Sequence, residues 1–128
     1  MSEISKATPT MTTAESNPSN QQPTGAVDLP GMHHSYWLDG RNYLRWAQLV
    51  RTFLKGRGKI GHLTGPTPKD SDPTFIAWDT EDSLIMSWLW SAMQPEVSNN
   101  LIFSTSVRNI WETVRQIYSK VQNASVIF

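Results

Sequence analysis

Histidines are the residues of this sequence that could bind a metal ion. His33 and His34 are adjacent, His62 is the third histidine, and the chain has no cysteine. A structural zinc site needs four converging ligands, usually histidine or cysteine, and a neighbouring pair without a second pair does not supply them. We therefore predict no metal site and place the paired histidines in a polar loop. Because cysteine is absent, disulfides and thiol nucleophiles are excluded.

Acidic residues collect between positions 70 and 82 and could act as general acids or bases. We predict that they lie at the start of a helix, where the dipole favours negative charge. The three histidines are predicted in loops, and a nucleophile needs both a base within hydrogen-bond reach and a third group to orient that base. Asp79-Thr80-Glu81 lacks the glycine of the D-T-G loop of aspartic proteases. The sequence thus predicts a protein that is not an enzyme.

Three glycines formally match the dinucleotide-binding pattern G-x-G-x-x-G, at Gly56, Gly58 and Gly61. In a Rossmann unit this pattern follows a strand and opens a helix. Here it follows a predicted helix, and no βαβ unit fits in the rest of the chain. We predict a helix C-cap at Gly56 followed by a tight connection, and no cofactor.

Basic side chains are concentrated between positions 41 and 59, where no acid occurs. The six are Arg41, Arg45, Arg51, Lys55, Arg57 and Lys59. A formal net charge of zero argues against a dedicated nucleic-acid-binding protein, which usually has a basic excess. Two functional interpretations stay open: the basic residues contact RNA phosphates, or they pair with the acidic segment within or between subunits. We rate a solvated polar face opposite an apolar stripe above either.

The first helix is predicted over residues 42–55. Asp39-Gly40 is a turn dipeptide, and Asn42 follows at a typical N-cap position. Apolar side chains then recur at the helical spacing that places them on one face. They are Tyr43, Trp46, Ala47, Val50 and Leu54, and the stripe is widened by Leu49 and Phe53. So much apolar surface requires other elements to pack against it.

Three further helices are predicted over residues 73–93, 95–102 and 106–125. Asp72 is predicted as an N-cap with Pro73 at the first helical position, and Ser104-Thr105-Ser106 offers the N-cap of the last helix. The buried stripes are predicted to contain Phe75, Trp78, Ile85, Trp88, Leu89 and Ala92, and then Val107, Ile110, Trp111, Val114, Ile117, Tyr118 and Val121. Leu84 and Trp90 lie off the first of these stripes, and Trp90 is expected to be partly exposed or held by a neighbouring molecule.

The sequence predicts one all-α domain, a small bundle of about four to five helices over residues 29–128, after a disordered tail over residues 1–28. That tail is rich in Ser, Thr, Pro, Asn and Gln and cannot bury enough apolar surface to fold. It lacks the features of a signal peptide, and no apolar run approaches the length of a membrane span, so a cytoplasmic protein is expected. The apolar ending Val126-Ile127-Phe128 suggests that the domain is truncated.

A family resemblance appears when these segments are taken together. Residues 38–46, LDGRNYLRW, resemble the signature L-x-G-x-N-Y-x-x-W, which opens the N-terminal Gag region of plant copia-type LTR retrotransposons. Four more segments are similar to that family in order and spacing: GRGK at 56–59 with LTG at 63–65, DPT at 72–74 with Trp78, MSWL at 86–89 with QPEV at 94–97, and SVRNIW at 106–111 with Tyr118.

The resemblance implies a capsid-type Gag fragment, a helical domain that self-associates into particles enclosing the RNA of the element. It implies a homo-oligomer, with RNA as a candidate partner and no membrane or small-molecule substrate. The alternative is an RNA-binding or host-retained protein-interaction module that uses the basic 41–59 face. The family motif assigns core roles to Leu38, Gly40, Asn42, Tyr43, Trp46, Pro73, Trp78, Trp88, Leu89, Ile110, Trp111 and Tyr118.

Overall fold

Five helices make up the fold in the computed structural model, which describes residues 29–127 and the side chains as far as Lys120. They are α1 Tyr43–Gly56, α2 Gly61–Thr64, α3 Phe75–Ser91, α4 Pro95–Ser98 and α5 Val107–Ile127, preceded by a 3-10 turn at His34–Tyr36. No β-strand forms among residues 29–127; the one bridge there pairs Leu38 with Met93. The predicted all-α class is confirmed. The predicted tail, the side chains of Val121, Val126 and Ile127, and Phe128 lie outside the described part.

One short helix was not predicted from the sequence, and the ends of two predicted helices differ from the prediction. The short helix α2 occupies a segment that was predicted as a connection. Helix α4 ends at Ser98 rather than at residue 102, because later amides such as Leu101 N bond three residues back, to Ser98 O at 2.9 Å, as in successive turns. Helix α3 begins at Phe75, with Thr74 rather than Asp72 at the N-cap position.

The Asp72 side chain forms a hydrogen-bonded turn immediately before α3, so that the helix begins later than predicted. The Asp72 Oδ1 atom accepts hydrogen bonds from the Thr74 amide at 2.8 Å and from the Thr74 hydroxyl at 2.6 Å. These two bonds hold the pKa of Asp72 below its ordinary value. Because Asp72 bonds its own turn, the helical hydrogen-bond pattern begins only at Phe75.

The turn before α1 ties the N-terminal segment to the end of α3. Leu38 N donates to Ala92 O, and Gln94 N donates to Leu38 O, each at 2.9 Å. Asn42 takes the predicted N-cap position, but its side chain does not cap the helix. Instead its Oδ1 accepts from Asp39 N at 3.0 Å and its Nδ2 donates to Trp37 O at 2.9 Å. Asn42 therefore fixes the turn rather than the first helical amides.

The end of α1 is a Schellman motif. Lys59 N donates to Leu54 O at 2.8 Å, and Gly58 N donates to Lys55 O at 3.0 Å. Gly58 has φ +69, the left-handed conformation that this motif requires, whereas Gly56 is the last helical residue. The predicted cap glycine was thus wrong by two positions, and the reversal sends the chain directly into α2.

The core forms where α5 packs against α1, α2 and α3. The Trp46 ring of α1 stacks on the Trp111 ring of α5 with centroids 6.0 Å apart, and the Trp46 indole donates to Ala92 O at 2.9 Å. The five residues predicted as the main stripe of α1 are all buried. Ser106 accepts from Asn109 N at 3.0 Å, which confirms the predicted N-cap of α5.

Some predicted core positions are not buried. Ile117 is 48% exposed, and Trp78 and Phe75 are only partly buried near the start of α3. Leu84 is exposed, as its position off the stripe predicts. Trp90 is partly buried because its indole donates to Leu101 O of the same chain at 2.9 Å, so no neighbouring molecule is needed to hold it.

Replacing Gly40 by alanine should destabilise the fold, because Gly40 has φ +94 and an added Cβ would lie 3.3 Å from Tyr118 Cε1. We expect a loss of about 1–2 kcal/mol in the free energy of unfolding, measured by urea denaturation. Gly56→Ala is the control, since nothing lies within 4 Å of its Cβ position. An equal effect of both substitutions would contradict the role given to the Gly40 turn.

Candidate functional site

The family-motif positions lie mainly in the core and its supporting turn. Seven of the twelve are buried: Leu38, Tyr43, Trp46, Trp88, Leu89, Ile110 and Trp111. Gly40, Asn42, Trp78 and Tyr118 are partly buried, and Pro73 is exposed in the turn before α3. Because these side chains pack against each other or fix a turn, the motif describes the fold more than a binding site.

Three of the six basic residues lie in α1, and the other three lie just before or after it. Arg45 lies over the Tyr36 ring, with its guanidinium carbon 5.3 Å from the ring centroid, on the side of the 3-10 turn. Arg51 and Lys55 are four residues apart on α1 and lie about 120° and about 80° around the helix from Arg45. Arg57 lies over the Phe53 ring at 4.7 Å. Arg45, Arg51 and Lys55 therefore lie on the exposed side of α1, opposite its buried stripe, whereas Arg57 and Lys59 follow the helix.

Lys59, the last of the six, joins the basic and acidic segments within the chain. Its Nζ bonds Glu81 Oε2 of α3 at 2.5 Å, and both side chains are mostly buried. Burial alone would raise the pKa of Glu81, but hydrogen bonds from Lys59 and His62 and the charges of those groups outweigh it, so that the pKa lies below its ordinary value. The basic 41–59 segment and the acidic 70–82 segment therefore pair through Lys59 and Glu81.

His62 lies in α2 and is buried, so its predicted place in a loop was wrong. Its Nδ1 lies 2.9 Å from Asp82 Oδ1, and its Nε2 lies 3.3 Å from Glu81 Oε1. The imidazole also stacks on the Trp78 indole at a centroid distance of 5.0 Å. One aromatic ring and two carboxylates of α3 thus hold the single histidine of α2.

Asp82 is the buried acid of this cluster and is only 2% exposed. Its second oxygen, Oδ2, accepts from Val107 N at 3.1 Å, at the first residue of α5. One carboxylate therefore joins α2, α3 and α5, and it also places negative charge where the α5 dipole favours it. The prediction that the acids lie at a helix start was wrong for Asp82, which is two turns inside α3.

The sequence contained an indication that Asp82 is buried. Asp82 lies four residues after Trp78 and three before Ile85, so it belongs to the stripe that was predicted to be buried. A buried carboxylate needs compensating donors, and a histidine in the preceding segment is one of few available. What the sequence did not indicate was that the second donor is the amide that begins α5.

The cluster suits a structural role. A general base must reach its substrate, and the side chains of His62 and Asp82 are only 5% and 3% exposed. Among residues 29–120, whose side chains the structure describes, no group of three or more metal-ligating side chains is arranged to hold a metal ion. Across the same residues, no helix is both long enough and apolar enough to span a membrane.

Comparison with known proteins relates the chain to retrotransposon polyproteins. The retrovirus-related Pol polyprotein from transposon RE2 of Arabidopsis thaliana is 30% identical over 93 residues, which cover 64% of this chain and 6% of that protein. The corresponding polyprotein from transposon RE1 of the same plant is 29% identical over 93 residues, with the same shares covered. The chain thus spans about one sixteenth of the length of these relatives. No family model matches the chain, and no solved structure matches it significantly.

Asp82→Asn should destabilise the fold strongly. An asparagine amide has only one acceptor oxygen, so its NH2 group would face either His62 or the Val107 amide, which are both donors. We expect a loss of about 2–4 kcal/mol in chemical denaturation. Asp79→Asn removes an exposed carboxylate from the same helix and should change stability by less than about 0.5 kcal/mol. A small effect at Asp82 would contradict its role in joining the three helices.

Proposed function

We propose that this retrotransposon-related chain is a non-enzymatic, Gag-like structural module of a copia-type LTR retrotransposon, which associates with copies of itself and encloses the RNA of the element. The observation that carries the proposal is the similarity to two retrotransposon Pol polyproteins over 64% of the chain. The register of the five motif segments from residue 38 onward supports the more specific Gag assignment.

The described chemistry supports a structural rather than catalytic role. The histidine and the acids that meet in space, His62, Glu81 and Asp82, bond each other, Lys59 and a helix amide. Their bonding capacity is used to join helices. The chain also corresponds to only 6% of its relatives, so the enzymes of a polyprotein need not lie in this part.

Exposed apolar side chains are the feature that favours self-association. Phe103 is 93% exposed and Ile102 is 45% exposed, side by side in the turn between α4 and α5. Ile76, at the start of α3, is 79% exposed. Large apolar side chains grouped on a surface often mark protein–protein contacts. The Gag assignment implies that the partner is a second copy of the chain.

Phe103→Asp should weaken self-association without unfolding the domain, because this ring is almost fully exposed in the single chain. We expect the wild type to show a weight-average mass that rises with concentration in multi-angle light scattering, and the variant to need about tenfold higher concentration for the same mass. Thr105→Asp, a nearby exposed position, adds the same charge and should behave as the wild type. A wild type that stays monomeric at the highest attainable concentration would contradict the self-association proposal.

RNA binding is the second candidate function, and it is favoured by the surface around the 3-10 turn. Here the His33 and His34 rings are exposed and stacked at 4.4 Å, and Arg45 lies over the exposed Tyr36 ring. Single-stranded RNA is commonly bound by aromatic rings that stack on bases and by arginines that contact phosphates. Arg41, exposed at the start of α1, extends the same basic surface.

Charge reversal at Arg41 and Arg45 should lower the affinity for single-stranded RNA by about tenfold or more, since phosphate contacts supply most of the non-specific binding energy. Fluorescence anisotropy with a labelled oligonucleotide at two salt concentrations would measure this loss and the salt dependence. Lys69→Glu, a reversal at an exposed lysine in the loop before α3, is the control. Wild-type binding that is absent, or independent of salt, would exclude this candidate.

A further inference from the structure

Both ring nitrogens of His62 face carboxylate oxygens. Nδ1 lies 2.9 Å from Asp82 Oδ1, and Nε2 lies 3.3 Å from Glu81 Oε1. A neutral imidazole has one N–H donor and one acceptor, whereas an imidazolium has two donors. Only the imidazolium can therefore donate to both carboxylates in this geometry.

The charges around the ring also balance when His62 is protonated. Glu81 and Asp82 contribute two negative charges, and Lys59 contributes one positive charge through its bond to Glu81 Oε2. Hydrogen bonds from Lys59 and His62 lower the pKa of Glu81 against the opposing effect of burial, so this carboxylate is ionised at neutral pH. The imidazolium is the fourth charge and makes the cluster neutral overall.

The remaining neighbours of the ring are compatible with a positive charge. The Trp78 indole stacks on it with an interplanar angle of 16° at 5.0 Å, and aromatic faces attract cations. The only described group of α5 in the cluster, Val107 N, bonds the far oxygen of Asp82. The charged groups that face His62 from the elements packed around it are thus Glu81 and Asp82 of α3, with Lys59 behind Glu81.

We propose that His62 is a pH-dependent contact between α2 and α3, closed when its imidazole is protonated and partly open when it is neutral. On loss of the Nε2 proton, Nδ1–H still donates to the buried Asp82, but the Nε2 lone pair then faces the Glu81 carboxylate. Two acceptors without a proton between them repel each other. Glu81 therefore stays bonded to Lys59, and its hydrogen bond with His62 is lost. The bond from Nδ1–H to Asp82 is common to both forms of the ring, whereas the bond to Glu81 exists only in the protonated form.

The direction of the effect on stability follows from proton binding. The protonated ring donates to both carboxylates and the neutral ring donates to one, so the contact weakens as the pH rises. An imidazole loses its proton between about pH 5 and pH 8. The contact is thus strongest in mildly acidic solution and weakest above neutral pH.

Thermal unfolding of the full chain between about pH 5.5 and pH 8 would test this proposal. We expect the wild-type melting temperature to fall by several degrees across this range. Glu81→Gln should remove most of the fall, since the glutamine amide can donate to a neutral Nε2. Asp79→Asn removes the same charge from an exposed position of α3 and should keep the wild-type slope.

A spectroscopic measurement tests the proton directly and needs no variant. The ring 15N shifts of His62 at about pH 6 should be those of an imidazolium, with both nitrogens protonated. The proposal is overturned by a wild-type melting temperature that does not change with pH, by a slope that survives Glu81→Gln or disappears in Asp79→Asn, or by a neutral ring at that pH.

Discussion

The buried carboxylate of Asp82 is the constraint on which the arrangement of the other helices depends. A charge with 2% exposure is costly unless donors surround it. The two donors come from His62 in α2 and from the first amide of α5. Satisfying this one group therefore sets the position of a four-residue helix that would not be stable alone and the point at which the longest helix begins.

Tryptophan indoles also form hydrogen bonds that hold the irregular segments in place. The Trp46 N–H donates to Ala92 O at the end of α3, and the Trp90 N–H donates to Leu101 O beyond α4. Near the N-terminal side, Trp88 donates to Pro30 O at 3.0 Å and Trp37 donates to Met32 O at 2.8 Å. Each ring buries apolar area while its N–H bonds a carbonyl that no helix uses. Four tryptophans thus order the connections as well as the core, which helps a domain with two very short helices to hold a defined structure.

The surface left by this packing is polar around α1 and partly apolar near α3 and α5. Lys59 forms an ion pair with Glu81 within the fold, and Arg45 and Arg57 lie over aromatic rings. Phe103 and Ile76 remain exposed in the single chain. A module of this kind suits the proposed assembly role, because its internal polar groups are already bonded and its contacts with partners depend on the outer side chains.

Local pattern was sufficient for the three long helices but not for the short ones or for the site. The spacing of Tyr43, Trp46 and Leu54 determined the buried face of α1, because side chains three or four residues apart share a face whatever packs against them. Periodicity could not decide that Ile117, on an equally regular stripe, stays exposed, since that depends on which helix lies opposite. Nor could it show that Asn42 bonds the preceding turn or that Gly58 is the left-handed residue. His62 and Asp82 are twenty residues apart, and only the tertiary structure brings α2, α3 and the start of α5 together, because a buried charge is satisfied by whatever donors the fold places beside it.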